Sequence, residues 1–334
     1  MLSLFGCVPA SKRFTATITD AFDTVTTVVA YDSSVDAFNA KFEKLEAELK
    51  RLDRLFDIYS EYEGITNLCT VNKTAAEAPV RVEKEIINLL IEGKKTYTES
   101  KGKINVCLGS VLELWHTARE AALENPENAY LPDMKELKEA SRHTDIDALI
   151  INEKNETVSF KDEKLKLDVG AIAKGYSAEL LKDYIKSNSL WKDFMLNLGG
   201  NVVTNGYKNS DGKTKWAIQI ENPDLTSENA LETLQLTNLS VVTSGDYQRY
   251  FEYEGKSYCH IIDPKTLMPA EYFTSVTVIC ENSALADRLS TELFVTPLSE
   301  GKALVEKLDK VEAVWVDKSY NETRSSGFEQ YLMR

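Results

Sequence analysis

Apolar residues recur every three or four positions between Asp36 and Tyr59, at Phe38, Phe42, Leu45, Leu49, Leu52 and Phe56. That spacing puts them on one stripe and predicts a long amphipathic helix. The same period predicts helices over 82–100, 110–123 and 132–140, with Asn125-Pro126-Glu127-Asn128 interrupting the last two. Ahead of them, residues 14–31 are rich in Thr, Val and Ile and alternate in part, which predicts two short strands or a hairpin. Beyond about residue 145 the pattern changes. Short apolar runs at 148–152, 157–160, 165–169, 194–198, 202–204, 216–221, 230–236, 240–243, 248–253, 275–280 and 313–316 predict strands. Helical spacing returns at 171–187, 283–296 and 301–308. Gly199-Gly200-Asn201 reads as a hairpin turn. Strands and helices mix without strict β-α alternation, so the expected fold class is α+β, with mixed or antiparallel sheets and flanking helices. No long Pro, Gly or Ser linker divides the chain. Residues 1–12 read as a tail and 13–334 as closely packed subdomains with a soft boundary near 145.

The chain has 334 residues, 43% of them hydrophobic, enough to build a substantial core. Its net charge of −14 excludes the basic footprint of a nonspecific nucleic-acid binder. It does not exclude an anionic ligand held by a local cluster of cations or a metal. No apolar run reaches the length of about 20 residues that spans a bilayer. The five cysteines and three histidines are scattered, without zinc spacing. Leu4-Phe5-Gly6-Cys7 resembles a lipobox, although only six residues precede the cysteine, with no basic segment. The expectation drawn from it is a lipid on Cys7 and an extracytoplasmic protein anchored to the bacterial cell membrane. The alternative is an apolar disordered start and a cytoplasmic protein.

Four polar, glycine-bearing stretches carry candidate chemistry. Leu167-Asp168-Val169-Gly170-Ala171-Ile172-Ala173-Lys174-Gly175-Tyr176 reads as strand, tight turn and helix start, where unpaired backbone N–H groups favour an anion. In Asn197-Leu198-Gly199-Gly200-Asn201 the paired glycines permit φ > 0 or a ligand against the backbone. Val242-Thr243-Ser244-Gly245-Asp246-Tyr247 offers hydroxyls and N–H groups at a predicted turn, followed by His260-Ile261-Ile262-Asp263-Pro264. In Ala286-Asp287-Arg288-Leu289-Ser290-Thr291, Asp287 and Thr291 are four residues apart and share a helix face. A carboxylate, a hydroxyl and a backbone carbonyl make a hard-oxygen site of the kind that takes Mg²⁺. Taken singly, each stretch is also compatible with an ordinary turn or a solvated helix face.

Together and in this order, the stretches resemble the FAD:protein FMN transferase family (ApbE-type). Looser similarity extends to Phe22–Thr27, to Tyr59-Ser60 with Asn67, and to 102–115. The resemblance implies a T-fold-like duplication and Mg²⁺-dependent transfer of FMN from FAD to a threonine of an acceptor flavoprotein, releasing AMP. It implies that Asp287, Thr291 and the backbone oxygen of Ala171 ligate Mg²⁺, with Ser290 contributing. It places Asp168, Lys174, His260 and Ile261 against FAD, Ser244 and Gly245 near its phosphates, and Gly199 and Gly200 beside them. Asn67, Ile104 and Asn105 would reach the flavin or adenine side. His260 is the candidate base, with a pKa expected near working pH. Three departures stand out. Ile104-Asn105-Val106 has no Asp where the family often does, Leu267 stands where Gly is usual, and the early Met-Gly-Thr is Phe22-Asp23-Thr24. The alternatives are an Mg²⁺-dependent FAD pyrophosphatase and a non-catalytic flavin-binding lipoprotein. A monomer or a dimer fits either.

Overall fold

The computed structural model describes residues 11–334; Cys7 and its lipobox-like context lie outside the described residues. Eight strands form one sheet in which every neighbouring pair is antiparallel. In spatial order they are Lys12–Ala21, Thr24–Asp32, Phe194–Leu198, Asn201–Asn205, Ser240–Gly245, Phe273–Cys280, Glu312–Asp317 and Glu322–Arg324. The sheet reads as two β-β-α-β-β units side by side. The helix Ala173–Ser187 crosses the first unit and Ser283–Phe294 the second. The α+β expectation is met, with the sheet fully antiparallel.

Alternation along the strands sorts side chains between the two faces. Val28, Ala30, Leu196, Leu198 and Val203 pack under the first helix, and Val242, Val276, Val278, Ala313 and Trp315 under the second. Val29, Val202, Val241, Ile279 and Val314 face the other way, against the hairpin Trp216–Ile220/Glu232–Leu236 and Phe328. Residues 57–160 form a mainly helical insertion in the first unit. It contains Leu68–Thr74, Lys84–Glu99, Gly109–Glu124 and Met134–Ala140, with a small three-stranded sheet. The change of pattern near residue 145 falls inside this insertion, where the later strands of the small sheet begin, and the large sheet takes strands from both sides of it.

Several local expectations are corrected. Residues 165–169 are extended but join no ladder. Instead Asn72 clasps Leu167, accepting from its N–H (2.7 Å) and donating to its carbonyl (2.9 Å), and Asp168 N–H donates to Val106 (2.8 Å). The short helix Leu68–Thr74 and the strands Lys256–Cys259 and Glu322–Arg324 lack a periodic signature and were not expected. Thr243-Ser244-Gly245 is the end of a strand rather than a turn, and Asn201 begins a strand rather than belonging to the hairpin turn. At Asp23 (φ 48°) and Leu267 (φ 62°), the left-handed backbone that suits glycine is kept with a side chain in place. The loop at Leu267 is held by its N–H to Asp263 and by Trp115 Nε1–H donating to its carbonyl (3.0 Å).

Candidate functional site

The two crossing helices meet where Gly175 faces Asp287. Gly175 is buried, and a Cβ there would collide with the Cβ of Asp287 and the carbonyl of Ser283. This closeness lets the Gly175 N–H donate to Asp287 Oδ2 at 2.7 Å. The carboxylate thus sits at the N-terminus of the Ala173–Ser187 helix, where the helix dipole favours an anion. Asp287 is 4% exposed. Burial raises its pKa, opposed by Lys174, the Gly175 amide and Asn201. Asn201 acts on the carboxylate without meeting hydrogen-bonding geometry, and both polar atoms of its fully buried side chain are unpartnered.

Hydroxyls line the approach. Ser244 Oγ lies 2.8 Å from Ser290 Oγ and 3.2 Å from Thr291 Oγ1. Ser290 is fully buried and donates to the Asp287 carbonyl at 2.9 Å, while Thr291 keeps partial exposure. Because Gly175 N–H turns to Asp287, no N–H or O–H among the described residues donates to the Ala171 carbonyl. No group of three His, Cys, Asp or Glu side chains gathers anywhere among the described residues. The donor set here is instead one carboxylate, a free carbonyl and a hydroxyl. Such oxygen donors fit a hard cation that retains waters.

Cations gather near His260 in a chain of net charge −14, and one of them, Lys174, reaches Asp287. Lys174 acts electrostatically on both Asp287 and His260, and Arg249 and Arg119 act on both His260 and Tyr59. Arg249 also donates to the Asp23 carbonyl at 3.3 Å, bracing the left-handed turn of the first hairpin. His260 Nδ1 lies 3.1 Å from the Arg249 carbonyl, an acceptor, so Nδ1 carries the proton and Nε2 the lone pair. The ring keeps an open side, but protein crowds the others and three cations add to that. Its pKa falls from 6.5 to about 3, with crowding the largest cause and Arg249, Lys174 and Arg119 acting in the same direction. The imidazole is therefore neutral at pH 7, and its pKa lies below the expected range rather than near working pH.

Asp168 closes an Asx turn, its Oδ1 accepting Gly170 N–H at 2.8 Å. Crowding raises its pKa, opposed by Gly170 N–H and by His116. His116 stacks on Tyr59, ring centroids 4.6 Å apart, and the Tyr59 ring is 57% exposed. Gly199 has φ 54° and packs on Thr24, where a Cβ would collide; Gly200 (φ 90°) is open to solvent. A Cβ on Gly245 would press on the Tyr247 ring.

Four further expected contact residues have protein partners or core positions. Asn67 is fully buried and caps the Leu68–Thr74 helix, accepting from Thr70 and donating to the Arg54 and Ser60 carbonyls. Asn105 bonds to the Thr144 carbonyl and Cys107 N–H. The Ile104 and Ile261 side chains are core residues. These four shape loops rather than present a polar group outward. Tyr59, His116, Arg119, Arg249 and Asn201 are the residues that sequence reasoning did not assign. Tyr59 and Asn201 stood within quoted motifs; the other three carry no local signal.

The ApbE family profile matches residues 22–315. A Haemophilus influenzae protein named FAD:protein FMN transferase is 32% identical over 277 residues, covering 82% of this chain and 77% of that one. A Vibrio cholerae protein of the same name is 30% identical over 294 residues, covering 87% and 85%. The crystal structure of the ApbE protein from Thermotoga maritima superposes with a TM-score of 0.83 at 26% identity, covering 97% of this chain and all of that one. The apo Pseudomonas stutzeri flavinyl transferase ApbE superposes at 0.78, also at 26% identity, covering 96% and 97%.

Proposed function

Since the chain belongs to the ApbE family, we propose that it transfers FMN from FAD to a threonine hydroxyl of an acceptor protein with release of AMP. The observation that carries this reading is the buried Asp287 carboxylate on the helix N-terminus at Gly175, with Lys174 acting on both it and His260 and with Thr291, one helical turn on, bonded to Ser244. Relatives sharing about a third of its sequence bear the name FAD:protein FMN transferase.

In the transfer, the threonine Oγ–P bond forms, the P–O bond to AMP breaks, and the threonine proton leaves with a base. His260 suits that role. Its Nδ1–H is fixed on the Arg249 carbonyl, so a neutral ring offers Nε2. Lys174, Arg249 and Arg119 hold the pyrophosphate by charge. The exposed face of Tyr59, backed by His116, suits stacking with a flat ring of FAD. Asp287, Thr291 and the Ala171 carbonyl are the residues that would hold Mg²⁺. When bound, the ion would offset the negative charge that develops on phosphate oxygens. Ser290, bonded to the Asp287 carbonyl and 2.8 Å from Ser244 Oγ, would contribute beside Thr291. The Leu4-Phe5-Gly6-Cys7 motif adds a lipid anchor on Cys7 to the proposal, checked by metabolic labelling with palmitate. No helix among the described residues is long and apolar enough to cross a membrane.

The test is incubation with FAD and Mg²⁺, with and without an acceptor protein, followed by nucleotide chromatography and acceptor mass measurement. The expected result is AMP release together with an FMN-sized mass gain on one acceptor threonine. AMP and free FMN without a mass gain would point to a pyrophosphatase. FAD retained intact in the presence of Mg²⁺ would point to a flavin carrier.

A further inference from the structure

Asn201 is the one buried side-chain amide among the described residues left with both polar atoms unpartnered. It is fully buried. Unpaired hydroxyls nearby, such as Thr26 and Ser177, can rotate toward weak partners. An amide has a fixed plane with two N–H donors and one acceptor, so leaving it unmatched costs more. Its position says what it faces. Asn201 pairs with Leu198 across the tight Gly199-Gly200 turn and shares the helix-facing side of the strand with Val203. In the next strand, Ser244 lies on the same side as Val242 and reaches Ser290 and Thr291. The helix layer above holds Gly175 and Asp287. The sheet thus presents an unmatched amide on its helix-facing side, toward the layer whose carboxylate is secured by a backbone N–H at Oδ2.

We propose that Asn201 is a positioning residue of this site: its side-chain amide braces the Asp287 carboxylate from the sheet side and fixes the oxygen left for a divalent cation. The inference rests on the metal reading given under the proposed function. Two donors then hold the carboxylate, the Gly175 amide from the helix and the Asn201 amide from the sheet, and its rotamer no longer depends on the cation. Such partners of a ligand commonly change metal affinity by about 10–100-fold when removed.

The experiment uses the metal-free full chain, Mn²⁺ as the probe, binding followed by electron paramagnetic resonance, and melting of the same samples without metal. Asn201→Leu keeps the volume and removes the unmatched polar group. It should still melt cooperatively without metal, yet bind Mn²⁺ about 10–100-fold more weakly. Asn201→Ser gives the same comparison if the leucine variant does not fold. A lower melting temperature with unchanged Mn²⁺ affinity would make Asn201 a structural residue and overturn the proposal. Asp287→Asn separates the two readings. If it loses Mn²⁺ while Asn201→Leu does not, only the present inference fails. If wild type and Asp287→Asn bind alike, the metal reading fails and takes this inference with it.

Discussion

The two β-β-α-β-β units share one topology but contribute opposite chemistry. In the first, the crossing helix Ala173–Ser187 brings a glycine with its N–H group and Lys174 to the contact point. In the second, Ser283–Phe294 brings a carboxylate and hydroxyls to the same point. Each helix buries an apolar stripe on the same sheet, so the packing frame is common to both. The difference lies in the residue at the crossing. Glycine on one side gives the room that Asp287 on the other side needs. A site of this kind arises when equivalent surfaces of two similar units face each other and carry opposite charge.

The comparison breaks most completely at Asp287. Asp287→Ala should remove the acidic half of the crossing and lower AMP release from FAD by at least about 100-fold, the size of loss seen when one electrostatic stabiliser is deleted. Release at the wild-type rate in a steady-state assay would show that the second unit's acid is not needed. Next comes His260, on the loop between Gly245 and Phe273 in the second unit. His260→Ala should slow transfer by about 10²–10⁴, with a much smaller change in FAD affinity. A loss confined to affinity would rule out the base role.

The pH dependence sharpens the same point. The folded-state pKa of His260 is depressed below 6.5, so its contribution to stability is full above 6.5. That contribution is lost as pH falls toward about 3, because the unfolded chain takes up the proton first. Wild-type melting should therefore drop more between pH 7.5 and 5 than that of His260→Ala; equal drops would show that the ring is not held neutral. The smallest expected effect tests the other side of the crossing. Gly175→Ala places a methyl group against Asp287 and the Ser283 carbonyl, and should cost about 1–3 kcal/mol in urea unfolding as the helices part. Unchanged stability would mean that the close approach is easily relaxed.

How much was legible follows from which signals are local. The helix Val35–Phe56 and the hairpin Lys12–Asp32 were plain in periodicity, because each buries one repeating face. The segment 165–169 looked like a strand because it is apolar, but its backbone groups are satisfied by Asn72 and Val106, residues far off in the sequence. Asp287, Thr291, Lys174 and Ser244 stood out as motif residues, and the fold does bring them together. Arg249, Arg119 and His116 were not legible, since a single polar side chain in sequence carries no sign of what it will face. Asn67 and Ile261 lay within or beside the matched motifs, yet burial turned them inward.

By itself, then, the sequence determined the elements, their apolar faces and the family to which the motifs point, because those depend on residues a few positions apart. Only the tertiary structure decided that a glycine would meet an aspartate, that Lys174, Arg249 and Arg119 would gather near His260 within an acidic chain, and that His260 would be neutral. Each of these depends on distances and burial between segments up to about a hundred residues or more apart, which no local pattern of apolar and polar positions encodes.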